Sequence, residues 1–265
     1  MKKTSQYVAK VPDASGHIDY SPEENAVWAD LYAAQASQVR QYCANEYLQG
    51  LSKVGLSKDR VPSCADVSDT LHELTGWTVE PVPALIGFQR FFSMLANRTF
   101  PAASFIRDRK DFDYIEEPDI FHELFGHTPL LADQRFADFS ECIGKAGMRA
   151  RPEDYAWLIR LYWFTIEFGL TRESGQYKAL GSGLASSPTE LVYSVESGTP
   201  ERRPFDIIDI LRTPYRIDIH QPIYFVLEHA DELFAAGERD LLADIQTARQ
   251  LGLHAPAYPP IVKSA

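Results

Sequence analysis

Helix-initiation signals recur along the chain, and they constrain its fold more than any other feature of the sequence. The run Ser21-Pro22-Glu23-Glu24 combines a capping serine, a proline at the first helical position and a glutamate at the third. Apolar residues follow at helical spacing, which predicts a long helix that ends within residues 50–55. Residues 63–74 repeat this pattern on a smaller scale, with Gly76 as the expected C-terminal stop.

Further helical patterns fill most of the remaining sequence. They cover residues 84–96, 118–125, 133–148, 152–170, 187–197, 222–236 and 238–251. Two short segments have strand character, residues 78–81 and the alternating residues 215–219. There is no fixed-period repeat and no Gly/Ser linker. We therefore expect a mostly α fold with a few short strands, in a single domain covering residues 1–265.

Composition and charge exclude several classes of protein. Hydrophobic residues make up 45% of the 265 residues and charged residues 24%, which is typical of an ordinary globular chain. The net charge of -11 repels phosphate backbones and anionic lipids, so we expect neither nucleic acid nor membrane partners. No secretion signal is visible, which predicts a cytoplasmic protein. Cys43, Cys64 and Cys142 have no CxxC spacing, which argues against a disulfide framework and a cysteine zinc site.

The richest cluster of potential metal ligands is residues 118–127, PDIFHELFGH. It resembles the zinc-protease motif HExxH, but His122 and His127 are five residues apart, which is about 140° around an α-helix rather than about 40°. A regular α-helix cannot aim both at one metal. A helix break at Gly126, favoured by Pro129, would let His127 turn back towards His122. The alternative is a capped, solvated histidine pair at a helix end.

A similar run, His72-Glu73-Leu74-Thr75-Gly76-Trp77, has tryptophan in place of the second histidine. We expect it to bind no metal, and it serves as an internal control.

Glu167 is the best candidate for a third ligand. It is the only charged residue in the run LYWFTIEFGL, residues 161–170, and burying an ionised carboxylate is costly unless it is paired or binds a metal. A salt bridge to Arg160 or Arg172 is the alternative. Two imidazoles and one carboxylate form the facial triad typical of non-haem Fe(II), which leaves open positions for dioxygen and a co-substrate.

Together these segments resemble the pterin-dependent aromatic amino acid hydroxylases, in particular their short bacterial, phenylalanine-hydroxylating members. The resemblance lies in Ile106-Arg107, Tyr114, residues 117–127, residues 162–170 and residues 183–187, and extends over about residues 78–233. It implies a mostly helical catalytic domain that binds Fe(2+) through His122, His127 and Glu167. It also implies that tetrahydropterin and O2 are used to convert L-phenylalanine to L-tyrosine, the first step of phenylalanine catabolism.

The resemblance also assigns substrate-binding residues. Arg107 corresponds to the clamp for the substrate carboxylate and Asp119 to the acid that orients it, although Arg107 alone would be interpreted as part of the charged run 107–111. The aromatic pocket corresponds to Tyr114, Pro118, Trp163 and Phe168, the surroundings of the amino acid headgroup to Gly183, Ser186 and Glu190, and the pocket wall to Ile217. Ile115 and Pro188-Thr189 depart from the family pattern near the headgroup.

Pterin binding is assigned in the same way. Phe91 corresponds to the ring on which the pterin stacks, Ala84, Leu85 and Ile86 to the neighbouring loop, and Glu123 to a residue facing the pterin. Without the resemblance, Phe91 would be interpreted as a core residue. The family's N-terminal regulatory domain and C-terminal tetramerisation helix have no counterpart in this sequence, so we expect a monomer or small homo-oligomer.

Three alternative functions stay open. Hydroxylation of tyrosine or tryptophan is the nearest; the family's tyrosine hydroxylases have aspartate where Ile217 aligns, and an apolar residue favours phenylalanine. A zinc hydrolase would use Glu123 as general base. A non-catalytic metal-binding or interaction protein is the third.

Overall fold

The N-terminal helices begin at the predicted caps. In the computed structural model, which describes residues 7–14, 16–83, 86–113, 115 and 117–259, Ser21 Oγ accepts from the Glu24 amide at 3.2 Å and starts α1, Pro22–Tyr42. Ser63 caps α3, Cys64–Thr75, which Gly76 ends at φ +77°. The long helix expected to reach residues 50–55 is instead two helices. Residues 43 and 44 are extended before α2, Asn45–Val54, because the Ala44 amide donates to Ala179 O at 2.9 Å.

Helices make up most of the described chain, as the sequence predicts. The others are α4 Phe88–Ala96, α5 Thr128–Leu131, α6 Gln134–Arg149, α7 Tyr155–Tyr162, α8 Ser182–Ala185, α9 Pro188–Glu196, α10 Ile207–Arg212, α11 Glu232–Gly237 and α12 Leu241–Leu251. Two π-helices, His122–His127 and Trp163–Glu167, interrupt segments predicted as regular helix.

Six short strands form two sheets in the described residues. Strand β1, Thr78–Val82, confirms one prediction and pairs in parallel with β2, Thr99–Ala103. The second sheet has the order β4-β3-β6-β5, formed by β3 Leu170–Glu173, β4 Gln176–Ala179, β5 Glu201–Pro204 and β6 Ile223–Leu227. Strands β3 and β4 are antiparallel, and β6 lies parallel to both of its neighbours.

Two predictions near the C-terminus are wrong. Residues 222–236 begin with β6 rather than a helix, because the apolar run IYFVL is buried along its whole length in the centre of a sheet, where a strand shows no alternation. Residues 215–219 form a loop rather than a strand. The carbonyls of Arg216 and Ile219 accept from the Gln221 side chain instead of from a neighbouring strand.

Aromatic side chains pack against the face of the first π-helix that lies opposite the histidines. Phe121 and Phe125 stack at 4.8 Å, and Phe121 meets the edge of Trp28 on α1 at 5.3 Å. Tyr47 on α2 donates to Phe125 O at 2.6 Å. This buried packing leaves the opposite face of the π-helix, which carries the histidines, directed towards α8 and the second π-helix.

Among the described residues, no helix combines the length and the apolar character that crossing a bilayer requires.

Candidate active site

The first π-helix brings the two histidines together. Its i→i+5 hydrogen bonding widens the turn, so residues five apart share a face. His122 Nε2 and His127 Nε2 lie 3.1 Å apart. The predicted helix break at Gly126 is therefore wrong, since the π-helix continues directly into α5. Glycine has a different role here, because a Cβ at residue 126 would lie 2.8 Å from Ser182 O on α8.

The second π-helix supplies the third member of the cluster. Glu167 Oε1 lies 3.1 Å from His127 Nε2, and Oε2 lies 3.7 Å from His122 Nε2. Two donors at right angles and about 2.1 Å from one ion are about 3 Å apart, so the three side chains fit one small divalent cation. Two imidazoles and one carboxylate form the donor set of a facial Fe(II) triad.

The alternatives considered for these residues are wrong. Arg172 pairs with Glu228 at 3.2 Å, and Arg160 lies over the Trp157 ring at 5.0 Å, so Glu167 faces the histidines rather than either arginine. His127 is only 3% exposed, which excludes a solvated histidine pair. The control residue His72 lies exposed on α3.

A second carboxylate, Glu123, also lies within 4.8 Å of both histidine rings. The two carboxyl groups differ in the protonation state that their surroundings favour. Burial raises the pKa of Glu123 well above its usual range, which favours its neutral form. Burial also opposes ionisation of Glu167, but its interactions with His127, His122 and Ser182 lower its pKa to about 2. The ionised carboxylate beside the histidines is therefore Glu167, the predicted ligand.

Both histidines are held by hydroxyl groups. Burial lowers the pKa of His122 to about 4, so the ring is neutral, as a metal ligand must be. Ser186 Oγ donates to Ser182 O at 2.9 Å and lies 2.8 Å from His122 Nδ1, so it accepts the Nδ1 proton and leaves Nε2 free for a metal. Tyr162 OH lies 3.4 Å from His127 Nδ1.

A cavity of about 480 Å³ opens beside the cluster. Its lining includes ten predicted site residues: Arg107, Pro118, His122, Trp163, Glu167, Phe168, Gly183, Ser186, Glu190 and Ile217. The lining also includes Ile115 and Pro188, which were expected near the headgroup, and Asp113, Glu117 and Ser187, which were not predicted as site residues. Tyr114 lies outside the described residues. A polar cavity of about 640 Å³ between residues 17–25 and 54–70 contains none of the predicted metal ligands.

Arg107 and Asp119 form a buried ion pair at one end of this cavity. Arg107 Nε and Nη2 donate to the two Asp119 oxygens at 2.8 and 2.9 Å. Asp119 is fully buried and also accepts from the amides of Arg107 and His122. The guanidinium thus uses one edge on Asp119, and its Nη1/Nη2 edge can form a second bidentate contact.

An aromatic stack forms one wall of the cavity. The Trp163 ring lies 4.4 Å from Phe168 and 4.3 Å from Tyr215, which is parallel to it. Neither Tyr215 nor Gln221, which accepts from Trp163 Nε1 at 3.2 Å, was predicted from the sequence.

Glu190 is a buried acid on the same cavity. Burial raises its pKa to about 7, although the Gln221 amide and Tyr224 OH donate to its Oε1 at 2.7 and 2.8 Å.

Those predicted pterin residues that the structure describes do not line this cavity. Phe91 meets the edge of Tyr162 at 5.3 Å, Ile86 is half-buried and Glu123 is buried beside the histidines. Ala84 and Leu85 lie outside the described residues. The pterin-binding roles therefore stay predictions.

Comparison with known proteins shows to which family this chain belongs. A family model described as biopterin-dependent aromatic amino acid hydroxylase matches residues 3–242. The chain belongs to this family. The phenylalanine-4-hydroxylase of Vibrio cholerae is 47% identical over 256 residues, covering 97% of this chain and 89% of that protein.

Solved structures of the hydroxylase family have the same fold. The apo phenylalanine hydroxylase of Colwellia psychrerythraea superposes with a TM-score of 0.92 at 46% identity, covering 94% of this chain and 97% of that one. The Chromobacterium violaceum phenylalanine hydroxylase with bound Fe(III) has a TM-score of 0.87 at 37% identity and covers 92% of this chain and 89% of that one. Both matches confirm the mostly helical hydroxylase fold predicted from the sequence.

Proposed function

We propose that this chain is a phenylalanine 4-monooxygenase that uses Fe(II), a tetrahydropterin and O2 to convert L-phenylalanine to L-tyrosine. The observation that carries the proposal is the position of the Arg107–Asp119 pair on the cavity that also exposes His122 and Glu167. An amino acid bound through its carboxylate at Arg107 extends its side chain towards the predicted metal ligands. The bacterial relatives named phenylalanine-4-hydroxylase support the same reaction.

His122, His127 and Glu167 would hold the iron, which together with the tetrahydropterin supplies the activation of dioxygen. The protein's contribution is to orient these ligands and the substrate. A neutral His122 and an ionised Glu167 are in the protonation states that bind a divalent cation without further proton release. The buried position of His127 keeps bulk water away from one side of the ligand set.

The cavity fits an aromatic amino acid at both ends. The Nη1/Nη2 edge of Arg107 binds the carboxylate bidentately, while its other edge is fixed by Asp119. The ring lies against Trp163 and Phe168, two aromatic residues that line the cavity. In this assignment, the contact with Arg107 fixes the amino acid headgroup, and the aromatic wall orients the ring.

Phenylalanine is favoured over tyrosine because the wall at Ile217 is apolar. A phenol placed against it lacks a partner from that side chain, and an unpaired buried hydroxyl costs about 1 to 3 kcal/mol. The zinc-hydrolase alternative is disfavoured because its general base would be Glu123, and burial raises the pKa of this carboxyl, which opposes the ionised form that a base needs.

The test is an assay of the iron-loaded protein with phenylalanine, tyrosine and tryptophan in turn, each with a tetrahydropterin and oxygen. We expect iron- and pterin-dependent formation of tyrosine from phenylalanine. His127→Ala and Glu167→Ala should lose both iron and activity, whereas the matched control His72→Ala keeps both. Full activity in either ligand variant with iron still bound would overturn the ligand assignment. Iron-independent hydrolysis would favour the alternative.

A further inference from the structure

Gln221 is a buried polar residue just before β6, and every polar group of its side chain is paired. It is 1% exposed. Nε2 donates to Arg216 O at 2.7 Å and to Ile219 O at 3.1 Å, and Oε1 accepts from Trp163 Nε1 at 3.2 Å. Buried amides are expensive to leave unpaired, so these contacts favour one side-chain position.

The backbone of the same residue reaches another part of the cavity. The Gln221 amide donates to Glu190 Oε1 at 2.7 Å. Trp163, Glu190 and Ile217 all line the cavity of about 480 Å³, whereas Gln221 lies behind that lining. One residue therefore contacts Trp163 and Glu190 directly and reaches the wall at Ile217 through the neighbouring backbone.

Gln221 reaches Ile217 only through hydrogen bonds to the backbone on either side of it. The Arg216 and Ile219 carbonyls flank Ile217 on both sides, and both accept from the same Nε2. Residues 213–219 have no strand partner, and besides these bonds the segment is held by the stacking of Tyr215 on Trp163 and by a bond from Arg216 Nη1 to Pro259 O at 3.0 Å. The Gln221 side chain thus links Trp163 to the carbonyls on both sides of Ile217.

We infer that Gln221 is a positioning residue that sets the width of the aromatic pocket and so selects among aromatic amino acids by the size of their rings. The inference rests on the proposed function for the identity of the substrates. Gln221 has no contact with the predicted iron ligands among its described hydrogen bonds, so its effect should be confined to substrate binding.

Two variants test this inference. Gln221→Met keeps the length of the side chain and removes all its hydrogen bonds. Gln221→Glu keeps an acceptor for Trp163 Nε1 but places a carboxylate oxygen against the two carbonyls, so only the bonds to the segment carrying Ile217 are lost. If one variant fails to fold, the other still decides. The matched control is Thr213→Val, which removes a buried bond to Asp209 O at 2.7 Å at the start of the same segment.

The measurements are kcat and KM for phenylalanine, tyrosine and tryptophan, with iron affinity determined by chelator competition. Both Gln221 variants should raise the phenylalanine KM about tenfold and shift relative kcat/KM towards tryptophan, since a small displacement of bound substrate has effects of this size. Iron affinity should stay unchanged. The Thr213→Val control should lose stability while KM and selectivity match those of the wild type.

Folded, iron-loaded variants with KM and selectivity within twofold of the wild type would overturn the inference. So would an effect limited to iron affinity or to stability, because a merely structural role predicts that result. If the wild type hydroxylates none of the three amino acids, the proposed function fails and the inference fails with it. Normal wild-type activity with unchanged variants instead counts against Gln221 alone.

Discussion

Ser182 Oγ lies 3.1 Å from Glu167 Oε2 and 3.2 Å from His127 Nε2, so one buried hydroxyl contacts two predicted iron ligands. Glycines on both sides allow this approach. A Cβ at Gly181 would lie 2.1 Å from Glu167 O, and one at Gly183 would lie 2.9 Å from the Phe168 ring. Helix α8 therefore packs closely against both π-helices and orients the ligands carried by each.

We predict that Ser182→Ala lowers the Fe(II) affinity about tenfold or more, the usual effect of removing a group that orients a metal ligand. Alanine leaves the backbone of α8 intact but removes the hydroxyl, which lies within donating distance of Ile166 O at 2.9 Å and of Glu167 Oε2 at 3.1 Å. Competition with a chromophoric chelator measures the change. Ser194→Ala is the matched control, since Ser194 is equally buried and bonds only to Leu191 O at 2.8 Å through its hydroxyl. Equal iron affinity in both variants would contradict the prediction.

Glu190 should make stability depend on pH. Its pKa is raised from the usual value of about 4.5 to about 7 by burial, so between these pH values the folded protein binds a proton that the unfolded chain has lost. This contribution to stability is present at low pH and is lost as the pH rises towards 7. The slope is at most about 1.4 kcal/mol per pH unit for one proton.

Glu190→Gln removes this titration and retains an acceptor for Gln221 and Tyr224. Relative to the variant, the wild type should become less stable between pH 5 and pH 7, as measured by urea unfolding of the metal-free proteins. Parallel stability curves for the two proteins would show that Glu190 has an ordinary pKa.

Arg107→Lys should raise the phenylalanine KM roughly tenfold or more, although it conserves charge. The guanidinium contacts Asp119 with one edge and offers another to the substrate, whereas an ammonium group cannot provide two bidentate contacts. Steady-state kinetics on the iron-loaded variant measures the effect. Arg109→Lys is the control from the same charged run, because Arg109 is exposed and pairs with Asp30 at 2.7 Å. A KM unchanged by Arg107→Lys would remove Arg107 from the binding site.

Local sequence signals predicted the helix starts well, and they singled out three side chains that the structure brings together. Ser21 and Ser63 cap helices as expected, because capping depends on residues within one turn. The two histidines and Glu167 were found because each residue type is unusual in its surroundings. The π-helices were not found, since i→i+5 bonding has no distinctive residue pattern and is decided by packing.

Residues that act through tertiary contacts were also missed. Gln221 looks like an ordinary polar residue next to a proline, and its partners Trp163 and Glu190 are more than 30 residues away. Ser182 had one local signal, the flanking glycines, which indicate a close approach but do not identify what is approached. Strand β6 was interpreted as part of a helix because it is buried on both faces in the centre of a sheet, and its sequence therefore lacks the alternation of a half-buried strand.

The final prediction concerns the apolar wall at Ile217. This side chain lines the cavity and is 55% exposed, so it is accessible to a bound ring. Ile217→Asp would offer the phenol of tyrosine a hydrogen bond and would place an ionised group beside the ring of phenylalanine, which is unfavourable. Ile219→Asp is the matched control, because Ile219 lies in the same segment and does not line the cavity.

The ratio of kcat/KM for phenylalanine over tyrosine should fall roughly tenfold or more in Ile217→Asp, as expected from about 1 to 3 kcal/mol for an unpaired hydroxyl. The Ile219→Asp variant should keep the wild-type ratio, since its carboxylate has no access to the bound ring. Because both variants add the same charge to the same segment, a general electrostatic effect on substrate entry would change both ratios together. A wild-type ratio in folded, iron-loaded Ile217→Asp would mean that the bound ring does not contact this wall.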